Sequence, residues 1–79
     1  SMDITKYEIE IKRHAFIRAM ERQITPDMVE ATIKGGKIKQ FGKNNIKFTK
    51  KYKKFTVICV GEIIGDKIKI LTIEKGGEK

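Results

Sequence analysis

Residues 55–60 constrain the fold more than any other stretch. Read as a strand, Phe55, Val57 and Cys59 lie on one face, and Thr56, Ile58 and Val60 on the other. Both faces are largely apolar. A strand of that kind belongs in the interior of a sheet, because an edge or a solvated face would expose half of it. The chain must therefore supply strands on either side and a layer to cover at least one face. It has 79 residues for the task. That length makes one domain with one small core.

The neighbours of this strand follow from periodicity and punctuation. Tyr7, Ile9 and Ile11 alternate with Glu8, Glu10 and Lys12, which predicts a half-buried strand. Residues 13–24 change to helical period. Ala15, Phe16, Ile17, Ala19, Met20 and Ile24 fill the apolar arc, and His14, Arg18, Glu21 and Arg22 share the opposite face. Thr25-Pro26 predicts a fresh helix start, with Thr25 as cap and Pro26 as first helical residue. Asp27 and Glu30 suit its positive end, and Met28, Val29, Thr32 and Ile33 form its buried stripe. Gly35-Gly36 ends it. Strands are predicted at 37–41, 46–50, 54–64 and 67–74. The turns between them are Gly42-Lys43-Asn44-Asn45, a bend near Tyr52, and Gly65-Asp66. Gly61 is a candidate bulge.

The predicted fold is α+β, in the order β-α-α-β-β-β-β, with two helices packed on one face of a twisted, mostly antiparallel sheet. The other sheet face is left solvated. Residues 1–79 form a single domain, in which Ser1-Met2 reads as a tag-cleavage remnant and 75–79 as a polar tail.

Charge and composition then narrow the chemistry. The net charge is +8, from 18 basic and 10 acidic residues. Residues 34–54 hold nine lysines and no acid, while the rest of the chain is close to neutral. Such a block attracts polyanions, of which nucleic acid is the commonest. It also fits a solvated, lysine-rich strand pair that resists edge aggregation. One Cys excludes a disulfide framework, and one His far from it excludes a closed zinc site. Scattered carboxylates make no magnesium cluster, and no glycine-rich loop precedes a helix. Neither a metal nor a cofactor is expected. Cys59 reads as core rather than nucleophile. No apolar run is long enough to span a membrane, and the opening residues carry no signal-peptide pattern, so the expectation is a cytoplasmic chain.

His14, Arg18 and Arg22 are the sharpest chemical feature. At spacings of i, i+4 and i+8 they fall within a stripe of about 80° on the first helix. Imidazole transfers protons near neutrality, and guanidinium offers a fixed fork of donors for phosphate oxygens. Together they make a metal-free phosphodiester site. The same residues also fit a plain polar helix face, with Glu21 pairing a neighbouring Arg, and His14, near the strand-to-helix junction, also fits a buried hydrogen-bonding residue.

The run Ile11-Lys12-Arg13-His14-Ala15-Phe16-Ile17-Arg18-Ala19-Met20-Glu21-Arg22-Gln23-Ile24-Thr25 resembles the opening of domain-of-unknown-function family 4258. Thr56-Val57-Ile58-Cys59-Val60 and Ile70-Leu71-Thr72-Ile73 are similar to its later strands, so the resemblance spans about residues 7–74. That family is similar to RelE-like and BrnT-like toxins of the barnase–EndoU–colicin–RelE superfamily of metal-independent ribonucleases. The resemblance implies a RelE-like toxin-type domain in which His14, Arg18, Arg22 and, at the C-terminal polar position, Thr72 serve the site. Lys47 stands nearest to where the family carries a sheet Arg.

The leading expectation is a small toxin-like endoribonuclease, a hydrolase cleaving RNA by attack of a 2′-OH on the adjacent phosphate. His14, Arg18, Arg22, Lys47 and Thr72 would be catalytic. Lys37, Lys39, Lys43, Lys50, Lys51, Lys53 and Lys54 would hold the RNA backbone, and Tyr52 would stack a base or act as a turn residue. The partners expected are RNA, on or off the ribosome, and an acidic antitoxin or immunity protein. The alternative is a non-catalytic module of the same fold that binds nucleic acid or an acidic partner. A third reading makes the polar helix face a mere surface.

Overall fold

The structure is a computed structural model that describes residues 2–77. A short 3-10 turn, Ile4–Lys6, leads into β1 (Glu8–Ile11), α1 (Arg13–Glu21) and α2 (Pro26–Gly35). Four strands complete the chain: β2 (Lys37–Phe41), β3 (Asn45–Lys51), β4 (Thr56–Ile64) and β5 (Lys67–Gly76). The strands form one sheet in the order β1-β5-β4-β3-β2, so the strand with two apolar faces is indeed central. The fold is α+β, in the expected element order. Ser1 and the end of the predicted tail lie outside the described residues, while Lys75 and Gly76 belong to β5.

β2 through β5 form an antiparallel meander. Gly65-Asp66 closes its last hairpin, with Gly65 at φ +61° and Ile64 paired to Lys67. β1 is the exception. It runs parallel to β5, from Glu8 opposite Lys67 to Ile11 opposite Ile70. β5 has ten residues and β1 only four, so the second half of β5 continues past the end of β1. The chain instead turns at Lys12, whose N–H donates to Ile70 O at 2.9 Å, and starts α1 beside that open edge.

Both helices cover the same sheet face. Ala15, Ala19 and Ile24 pack from α1 and its exit, and Val29, Thr32 and Ile33 from α2. They meet Phe48, Val57, Cys59, Ile68, Ile70 and Ile73 from the sheet. Thr32 is tolerated in this core because its hydroxyl donates to Met28 O at 2.7 Å. Ile17 departs from the predicted apolar arc: it is 45% exposed. The contact face of α1 is narrow because Ala15 and Ala19 let the helix sit close to β5, and Ile17 falls outside it.

The ends of the helices explain how α1 is aimed. Thr25 caps α2 as expected, accepting from the Met28 N–H at 3.2 Å. α1 ends at Gln23 with φ +64°, its N–H donating to Met20 O, while Ile24 N–H donates to Ala19 O at 2.9 Å. This is a Schellman close made without glycine. It turns Ile24 into the core and leaves Arg22 on the outer face.

A bulge sits near the position read from Gly61, but the extra residue is on the partner strand. Val60 pairs with Thr72 and Gly61 with Ile70, which leaves Leu71 unmatched. Gly61 is needed opposite it, since a Cβ there would lie 2.6 Å from Lys69 O. The bulge also resets the alternation of β5. Ile68 and Ile70 face the helices before it, and Ile73 does so after it, so Thr72 and Glu74 turn to the outer face.

Candidate active site

An open cleft of about 540 Å³ lies between α1 and the unpaired second half of β5. Its α1 wall carries His14, Arg18 and Arg22, and its β5 wall carries Thr72 and Glu74. All five are solvent-exposed. The helical spacing seen in the sequence is what aligns the first three, one turn apart on one side of α1. Thr72 and Glu74 share a wall because they are two apart on a strand whose phase the bulge has reset. Arg22 is anchored across the cleft, with Nη1 donating to Ile73 O at 3.3 Å. That bond fixes the distance between helix and strand at the Arg22 end.

The cleft is electropositive for two independent reasons. Among the described residues, His14, Arg18 and Arg22 line it against a single carboxylate, Glu74. In addition, α1 begins with Arg13 and His14, has no acid in its first turn and has no side-chain cap. Its first backbone N–H groups are therefore uncompensated, and Ala15, the third of them, lines the cleft. An ordinary helix would place an acid or a capping oxygen there. The arrangement suits an anion.

The other expected residues are not brought to the cleft. Lys47 pairs with Val60 on one side and Lys39 on the other. Val60 in turn pairs with Thr72. Lys47 thus lies on the same open sheet face as Thr72, two strand spacings or about 10 Å away. Lys39 extends this row outward on β2, Lys37 lies in the next row opposite Thr49, and Lys51 lies further along β3. Lys43 occupies the β2–β3 turn, and Lys53 and Lys54 the β3–β4 turn.

Lys50 and Tyr52 sit on the helix side. Lys50 pairs with buried Val57, and its Nζ lies 5.9 Å from the Tyr52 ring centre. The Tyr52 hydroxyl donates to Met28 O at 3.3 Å, and its ring packs at 6.2 Å from that of Phe55. Tyr52 closes the core against α2. The lysine block is therefore divided between an open sheet face, two turns, the core rim and α2, where Lys34 pairs with Glu30 at 3.0 Å.

Sequence reasoning missed Glu74. Its signal was its position two residues after Thr72 in the final strand. The apolar Ile70-Leu71 step concealed the bulge that puts both on one face. Cys59 is fully buried in the central strand, and burial pushes its thiol up to about 12, so it is inert at neutral pH. Among the described residues no helix is long and apolar enough to cross a membrane. Set against protein-family models, curated proteins and solved structures, the chain matches none.

Proposed function

We propose that the α1–β5 cleft cleaves RNA, making the chain a small, toxin-like endoribonuclease with a RelE-like arrangement. The observation that carries this reading is the meeting of His14, Arg18 and Arg22 with Thr72 and Glu74 in one cleft. Strand scission by an internal nucleophile forms a bond between the 2′-oxygen and phosphorus and breaks the bond from phosphorus to the 5′-oxygen. The 2′ proton must leave and the 5′-oxygen must gain one. His14 on the helix wall takes one of these transfers and Glu74 on the strand wall the other. Arg18 and Arg22 stabilise the extra negative charge on the phosphorane, helped by the bare N-terminus of α1. Thr72 offers a hydroxyl donor to a phosphate oxygen. Lys47 is placed to hold a neighbouring phosphate rather than the reacting one. The products are a 2′,3′-cyclic phosphate and a 5′-hydroxyl.

The test is incubation of purified protein with RNA, with and without ribosomes. The expected result is cyclic-phosphate ends that disappear in His14→Ala. Intact RNA under both conditions would overturn the reading. The lysines on the open sheet face support a second one, a non-catalytic module that binds nucleic acid. It predicts salt-sensitive binding that survives His14→Ala, without cleavage. An acidic antitoxin or immunity protein would compete for the same positive surfaces.

A further inference from the structure

We infer that the sheet face left uncovered by the helices binds single-stranded nucleic acid, with Phe41 as the platform on which a base stacks. The inference rests on the reading of the chain as a nucleic-acid-binding domain and deepens it.

Residues paired across neighbouring strands share a face, so the register maps this surface. One row runs from Thr72 through Val60 and Lys47 to Lys39, directly from the cleft to the far edge. The next runs from Glu74 through Ile58 and Thr49 to Lys37. A third row runs from Glu10 through Lys69, Glu62 and Asn45 to Phe41, and charge across the three rows is polarised. On the β1 side, Glu10 is engaged by Lys67 at 3.2 Å and by Lys69 at 3.9 Å. On the β2–β3 side, Lys37, Lys39, Lys47 and Lys51 share the face with no acid on either strand. Their spacing across strands is about 5 Å, and along a strand about 7 Å. A flexible polyanion can follow that path.

Phe41 is paired with Asn45, two residues beyond Lys39 on the same face. It is 40% exposed. The chain has six aromatic residues, and the other five lie on the helix side or in the core. Tyr52 and Phe55 are covered by the ammonium groups of Lys50 and Lys75. Only Phe41 offers a ring to a ligand on the lysine face. A lone exposed ring flanked on one side by Lys39 and Lys47, with Glu62 two strands along its own row, suits a single strand that leads in from the lysines: phosphates find lysines, and an unpaired base finds a flat apolar partner. In a duplex the base faces are already stacked, so it would gain from the lysines alone. An acidic protein segment would also gain from the lysines, but it has no comparable use for the ring.

The chain has no Trp, so Phe41→Trp creates a single fluorescent reporter at the site. The probe is a deoxythymidine oligomer of about eight nucleotides, within the span that small β domains occupy. It lacks the 2′-OH and cannot be cleaved by the proposed route. We expect saturable quenching by this oligomer, little quenching by a duplex of equal length, and none by polyglutamate. In a separate labelled-oligomer assay, Phe41→Ala should bind roughly 5- to 150-fold more weakly than wild type, with an unchanged far-ultraviolet spectrum. Absent quenching, equal affinity in Phe41→Ala, or equal quenching by duplex would overturn the inference. Quenching without any RNA cleavage would sink the nuclease reading alone. Cleavage of RNA with no quenching would sink this inference alone.

Discussion

At the residue scale, the cleft side chains apart from Arg22, which donates to Ile73 O, add little to the stability of the fold. His14 is exposed and bonds to no described residue, so His14→Ala should leave the urea midpoint within about 0.5 kcal/mol of wild type. On the proposed reading, RNA cleavage should fall by about 10²- to 10⁴-fold, the usual worth of a proton-transfer group, and end-labelled RNA on a gel measures it. Glu74→Gln should behave in the same way. Cys59 is the opposite case. Its thiol ordinarily titrates at 9.0, and burial pushes it up to about 12. A raised value leaves folding stability intact below the unfolded value of 9.0 and erodes it as pH climbs toward about 12. The wild-type urea midpoint should therefore fall more steeply above pH 9 than that of Cys59→Ala. Parallel curves would contradict the assignment.

At the element scale, two local irregularities position the cleft. Gln23 sits in the left-handed region at φ +64°, where a side chain is costly. Gln23→Gly should stabilise the fold by about 0.5–1 kcal/mol, read as a higher urea midpoint, without moving α1. Gly61→Ala should destabilise it by about 1–3 kcal/mol, because the added methyl meets Lys69 O and the bulge must shift. These irregularities also mark where the sequence stops being legible. Thr25-Pro26 and Gly65-Asp66 announce themselves because each carries the chemistry its turn requires. Gln23 does not, since it makes the Schellman close without the glycine that would announce it. Leu71 gives no sign of being the extra residue, because a bulge is a property of two strands in register. Gly61 marks only the half of it that needs room.

At the scale of the whole molecule, the polarised sheet face predicts a salt dependence. Replacing Lys37, Lys39 and Lys47 by Gln should flatten the slope of log affinity against log salt by about 2 for a single strand. Fluorescence anisotropy of a labelled oligomer at several salt concentrations measures it. The stripe of His14, Arg18 and Arg22 was legible because helical spacing is local. Where the lysine block would go was not. Alternation sends Lys37, Lys39 and Lys47 outward and Lys50 toward the helices, but only the register shows that the first three share a surface with Thr72. The parallel pairing of β1 with β5 was equally hidden, since nothing within four residues of β1 names a partner some sixty positions away.

That pairing has a consequence for the order in which the protein comes into being. One wall of the cleft is α1, near the start of the chain, and the other is β5, at its end. Translation delivers α1 well before β5, with Arg22 and Ile73 51 positions apart, and contacts between distant segments form last. While β5 is still inside the ribosome, β1 has no neighbour and Arg22 has no carbonyl to hold. On the proposed reading, the cleft would therefore have no second wall with which to cut RNA until β5 has emerged.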